Sequence, residues 1–159
     1  MASKQIQDAD ITRGEEGAEW TGKPWLGKWC SIPEKDHNLE AYLAAMGVDM
    51  SHPNMKKDQP VTLHTFKKGD EYHHKIVVKE AGYINDVIFR LGQETPGSYN
   101  GQQFTVNYEE QGGALVGTIK YPAHNKVIHN TYKMDGQNLT KTSECEGVVH
   151  KRWYNKQQN

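Results

Sequence analysis

At 159 residues the chain is long enough for one domain that buries roughly two-thirds of its unfolded surface, so neither a disulfide framework nor a structural metal is required for folding. Its 19 basic and 20 acidic residues, with a pI near 6.7, give no cationic footprint for displacing counterions from phosphates, which argues against DNA or RNA as a partner. A mean hydropathy of -0.87 with 35% apolar residues is low for a folded protein and points to a solvated segment, an interior that is not wholly dry, or both.

Residues 1–19 are polar and acidic, carry Gly14 and Gly17 and show no periodicity, which predicts a disordered, solvated tail. They also lack the apolar region of a secretory signal, so an export signal, if the protein is secreted, is expected to have been removed or replaced. The domain is expected over residues 20–156, with 157–159 as a short C-terminal tail. "KPWLGKWCSIP", bounded by Pro24 and Pro33, reads as a first strand. "DHNLEAYLAAMGV" then changes period: Leu39, Tyr42, Leu43 and Met46 fall at helical spacing, with Asp36 or Asn38 as the N-cap and Gly47 as the stop. "DMSHPNMKK" predicts a further short helical turn before Pro60, which makes a helix-turn-helix.

From Val61 onward, β-branched and aromatic runs recur between turn signals. They are "VTLHTFK", "EYHHKIVVK", "GYINDVIFRL", a weak "QETPGSYN", "QQFTVNYEE", "ALVGTIKYP", "KVIHNTYKM", "NLTKTSEC" and "VVHKRWYNK". The links between them are a few residues long and rich in Gly and Asn, as tight hairpins demand. The prediction is an all-β, ten-stranded antiparallel up-and-down β-barrel, with the helix-turn-helix as a lid between the first two strands. A barrel of that size has more room inside than its own side chains fill.

Few other features carry chemistry. Cys30 and Cys145 have neither a CxxC spacing nor a His partner pattern and are read as free thiols, with a bridge between them as the alternative. His64 and His73, placed opposite each other by a turn at "KG", are read as a cross-strand polar pair in preference to a metal site, since no third ligand is evident. Asn138 in "NLT" is a candidate N-glycosylation acceptor if the protein is secreted. No Ser-His-Asp order, paired-acid motif or phosphate loop supports catalysis, and no cofactor or metal is implied.

The last run poses a question. As a strand, "GVVHKRWYNK" sets His150, Arg152 and Tyr154 on one face and Val149, Lys151, Trp153 and Asn155 on the other, and neither face is plainly the core. By position alone, an arginine there points to solvent. However, "WLGKW" at 25–29, "AYLAAMGV" at 41–48, "IFRLGQE" at 88–94 and "RWY" at 152–154, in this order and separation, resemble motifs of the fatty-acid-binding or intracellular lipid-binding proteins. "EWTGKPWLGKW", "GDEYHHKIV", "FRLGQE", "YNGQ" and "KRWYNK" more specifically resemble the secretory-abundant heat-soluble proteins of tardigrades.

The first resemblance implies a cavity in which Arg152 and Tyr154 hold the carboxylate of a fatty acid or similar amphiphile, with Phe89 also at the ligand. Where the lipid-binding family has a second inward arginine, this chain offers Thr131 and His129 instead, which implies a weaker or differently tuned anion site. The second resemblance implies a secreted, extracellular, heat-soluble monomer that protects client proteins or membranes during drying.

Overall fold

The computed structural model describes residues 6–47, 59–99 and 101–157. Ten strands follow one another: β1 (Gly27–Ser31), β2 (Thr62–Lys68), β3 (Glu71–Val78), β4 (Tyr83–Phe89), β5 (Glu94–Tyr99), β6 (Gln102–Gln111), β7 (Ala114–Tyr121), β8 (Lys126–Asp135), β9 (Asn138–Cys145) and β10 (Val148–Lys156). They form a single antiparallel sheet in the order β4-β3-β2-β1-β10-β9-β8-β7-β6-β5, so the expected up-and-down barrel is present. Short links pair consecutive strands from β2 to β4 and from β5 to β10, and the turn residues make those links possible. Gly112 and Gly113 both take positive φ (58° and 83°) between β6 and β7, the conformation a two-residue hairpin needs to match the twist of its strands.

Closure is incomplete. β4 and β5 are the two ends of the sheet and are not hydrogen-bonded neighbours. Pro96, which has no N–H to donate, sits in β5, where an edge tolerates it. The gap is bridged by side chains, the rings of Tyr83 and Tyr99 meeting edge to face at 5.6 Å.

Among the described residues, two short α-helices accompany the barrel, α1 (Asp8–Ile11) and α2 (Leu39–Met46). α2 covers the barrel mouth against β9 and β10: Tyr42 stacks on His150 at 5.5 Å, and the Cys145 thiol points at the Ala45 carbonyl. Gly47 ends α2 in the left-handed conformation, as the sequence predicts, but neither candidate N-cap side chain caps it. Asn38 Nδ2 donates to the Val149 carbonyl and Asp36 turns inward, so tertiary contacts have claimed both groups. The second predicted turn of the lid, at 49–57, lies outside the described residues.

At the closed end, a ladder of rings fills the barrel: Trp25 against Tyr72 (5.2 Å), Tyr72 against Phe89 (5.5 Å) and Phe89 against Tyr108 (4.4 Å). Close packing here requires Gly117, because a Cβ at that position would stand 2.5 Å from Tyr108 Cε1. Both cysteines are free.

Two expectations are corrected. Residues 6–19 are not a solvated tail but lie along the outside of β2 and β3. Glu15 Oε2 accepts from Lys75 Nζ at 2.7 Å and lies 2.8 Å from His64 Nδ1, while Lys75 also donates to the Ile11 and Arg13 carbonyls. Glu19 pairs backbone to backbone with Lys67, and Trp20 packs on Phe66 at 4.9 Å. An acidic, aperiodic stretch reads as solvated because its counter-charges are supplied by a sheet far along the chain. His64 and His73 are not opposite each other either: the β2–β3 register pairs His64 with Lys75 and Phe66 with His73, two residues away from the expected alignment.

Candidate functional site

The barrel encloses a cavity of about 150 Å³ between the ring ladder and α2. Its apolar lining comes from α2 (Leu39, Leu43, Met46) and from inward positions on the sheet such as Ile76, Val87, Phe104 and Ile128. Its polar wall is built by three adjacent strands. Alternation turns Asn130 and Tyr132 of β8, Lys141 and Ser143 of β9, and His150, Arg152 and Tyr154 of β10 to the inside. Antiparallel register then aligns them in rows, Asn130–Ser143–His150 nearer the lid and Tyr132–Lys141–Arg152 below it.

Arg152 and Tyr154 therefore line the cavity as expected, and Trp153 faces out beneath the Lys151 ammonium, 4.7 Å from its ring. Arg152 is already occupied by a carboxylate of the protein itself. Its Nε donates to Asp36 Oδ1 and Oδ2 at 3.0 and 3.1 Å, and its Nη2 donates to Oδ2 at 2.7 Å, a forked pair of the kind expected for a ligand carboxylate. Burial alone would raise the Asp36 pKa, but the adjacent His150 imidazole and the forked hydrogen bonds from Arg152 outweigh it and hold the carboxyl at about 2. The pair is internally neutral.

The other predicted ligand residues lie elsewhere. Phe89 is buried in the ring ladder and does not line the cavity. His129 is exposed and Thr131 only half-buried; both share the outer parity of β8 with Val127 and Lys133. Placing the missing arginine one residue off turned the reading to the wrong face, and Tyr132 is the residue that points inward beside Lys141. Asn138 is half-buried, and its amide nitrogen donates to Tyr154 O at 3.2 Å and Asn155 Oδ1 at 2.8 Å, so a glycan on that nitrogen would remove one of its two N–H donors and with it one of these bonds.

Several cavity residues escaped the sequence reading. Lys141 was legible, because alternation in "NLTKTSEC" puts it on the face of Leu139 and Cys145. Burial, and secondarily the Arg152 charge, lower its pKa to about 8. Asp36 comes from a loop and has no local signal. His74 of β3 is buried between Thr65 Oγ1 (3.2 Å) and the Tyr132 hydroxyl (2.9 Å), and burial drives its pKa down to about 3, so it is neutral. Around neutral pH the wall thus carries Arg152 compensated by Asp36, a cationic Lys141 and neutral imidazole. That is an arrangement for binding a polar or acidic head group beneath an apolar chain.

Comparison with known proteins agrees with this architecture. The chain is 52% identical over 155 residues to secretory-abundant heat soluble protein 2 of Ramazzottius varieornatus, covering 94% of this chain and 89% of that protein. A crystal structure of a secretory-abundant heat-soluble protein from the same organism superposes with a TM-score of 0.81 at 38% identity, covering 87% of this chain and 99% of that one. A Schistosoma mansoni fatty acid binding protein in complex with arachidonic acid superposes with a TM-score of 0.75 at 19% identity, covering 85% of this chain and 97% of that one, a likeness of fold. No family model matches the chain.

Proposed function

The chain belongs to the secretory-abundant heat-soluble proteins, and from that membership we propose that it is a secreted, non-enzymatic protein that protects extracellular components during desiccation. The observation that carries this reading is the identity of more than half the residues over nearly the whole length to a protein of that name. A quarter of the residues are charged, which suits a surface that stays dissolved on heating and offers hydrogen bonds to neighbouring molecules as water leaves. Proteins and membranes are the clients such a surface suits. Drying a labile enzyme with this protein tests the proposal: recovery on rehydration should exceed that given by an equal mass of serum albumin. Equal or poorer recovery across mass ratios would refute it.

A second reading, that the protein carries a fatty acid or similar amphiphile, is favoured by a specific observation: a polar wall faces an apolar cavity under a helical lid. The two roles are compatible. Titrating delipidated protein with a fluorescent fatty acid separates them, since a carrier shows saturable one-to-one binding and a protectant alone does not.

A further inference from the structure

Within the cavity reading, we propose that the anchor for an acidic head group is Lys141 of β9, and that Arg152 of β10 instead serves as a structural partner of Asp36. The inference rests on the amphiphile reading and goes beyond it by naming the residue that selects a carboxylate over an uncharged head group.

Three observations support it. First, Arg152 has committed its fork to Asp36 through three short hydrogen bonds, with both side chains largely buried. A carboxylate ligand at Arg152 would have to displace a carboxylate already held there, leaving Asp36 desolvated and uncompensated. Second, Lys141 stands directly across the ladder from Arg152 and borders the cavity, yet among the described residues it makes no hydrogen bond and has no carboxylate within ion-pair distance. It is half-buried and lines the cavity. A cation in that position lacks a partner that a ligand could supply. Third, the row beside it is unsatisfied. Asn130 is 5% exposed and His150 2%, and neither Asn130 Oδ1 nor His150 Nε2 makes a hydrogen bond; the latter stands 3.8 Å from Asp36 Oδ2. Both residues line the same cavity. Buried polar atoms without partners in a lined cavity mark where a polar group of a ligand sits.

The charge environment of Lys141 is set by Arg152 and His150 on β10, Asp36 before α2, Tyr132 on β8, Tyr154 on β10 and His74 on β3. Burial, Arg152 and Asp36 act on its pKa, in that order of size, with a net lowering to about 8. His150 and His74 are also held below their ordinary range by burial, and burial raises the Tyr132 and Tyr154 phenols. Lys141 is therefore the group expected to lose its charge first as pH rises from 7 to 9, whereas an arginine anchor would keep its charge throughout.

The test is fluorescence titration of the delipidated protein with cis-parinaric acid and with its methyl ester, between pH 7 and pH 10. The wild type should prefer the acid at pH 7, and its affinity for the acid should fall by about tenfold per pH unit above roughly pH 8, while the ester stays constant. Lys141→Met should weaken acid binding at pH 7 by about tenfold or more, remove the pH dependence and leave ester binding unchanged; Lys141→Arg should restore acid binding without the pH dependence. Circular dichroism of each variant establishes that the barrel is intact. Acid binding that is unaltered in Lys141→Met, or wild-type affinities equal for acid and ester, would overturn the assignment and leave the carrier reading standing. Failure of the wild type to bind either probe would overturn both.

Discussion

Replacing Glu15 with alanine removes the carboxylate that faces the buried ammonium of Lys75. Glu15 and Lys75 side chains are 8% and 2% exposed, so the pair lies in a low-dielectric seam between the N-terminal segment and β3. Removing one member of such a pair leaves an uncompensated buried charge, with a cost of about 3–5 kcal/mol. The Ile11 and Arg13 carbonyls continue to accept from Lys75, which places the expected loss near the lower end, about 3 kcal/mol. For a domain of this size that is a fall in Tm of roughly 6–12 °C, read by circular dichroism at pH 7 and low salt. Adding Lys75→Met should restore most of it, because the double variant buries no unpaired charge.

The pH dependence has a definite sign. Burial alone would raise the Glu15 pKa, but hydrogen bonds from Lys75 and His64, with their charges, hold it below 4.5. The network's contribution is therefore complete above pH 4.5 and is lost as pH falls through the folded value, so the wild-type and Glu15→Ala curves should converge in acid. A Glu15→Ala protein melting within about 2 °C of wild type at pH 7 would refute the docked segment and return residues 6–19 to the status of a solvated tail.

His74→Gln isolates a second acid-sensitive group. With the native pKa lowered from 6.5 to about 3, the unfolded chain takes up a proton over that interval and the native state does not, so stability is full above pH 6.5 and declines by about 1.4 kcal/mol per unit below it. Urea midpoints at several pH values should show the wild-type advantage over His74→Gln shrinking at that rate; a constant difference refutes the assignment. Gly117→Ala forces a methyl against Tyr108, which Phe89 holds in place at 4.4 Å, and should cost about 1–3 kcal/mol by urea unfolding. Asp36→Ala strands Arg152 and should cost about 3–5 kcal/mol, most of it recovered in the double variant with Arg152→Met; a double variant no more stable than Asp36→Ala would show that the pair is not the source of the loss.

The strands were legible because their period is local. Apolar and β-branched residues at every second position, cut by Gly and Asn, mark where a chain runs extended and where it reverses, and links of a few residues pair most strands with the next one, β4 and β5 excepted. "VVHKRWYNK" could even be oriented, once its Arg152 and Tyr154 were seen to match an inward pair. β8 shows the limit of that method: there an off-by-one match chose His129 and Thr131, although the apolar Ile128, Tyr132 and Met134 already marked the opposite face as inward.

What no local pattern could supply was the pairing of charges. Asp36 and Arg152 lie 116 residues apart and Glu15 and Lys75 lie 60 apart, and each side chain taken alone reads as solvated surface. Alternation tells which way a side chain points. Only the folded sheet decides which opposite charge it meets there, and hence that Arg152 is neutralised from within while Lys141, at the same cavity, meets no carboxylate among the described residues.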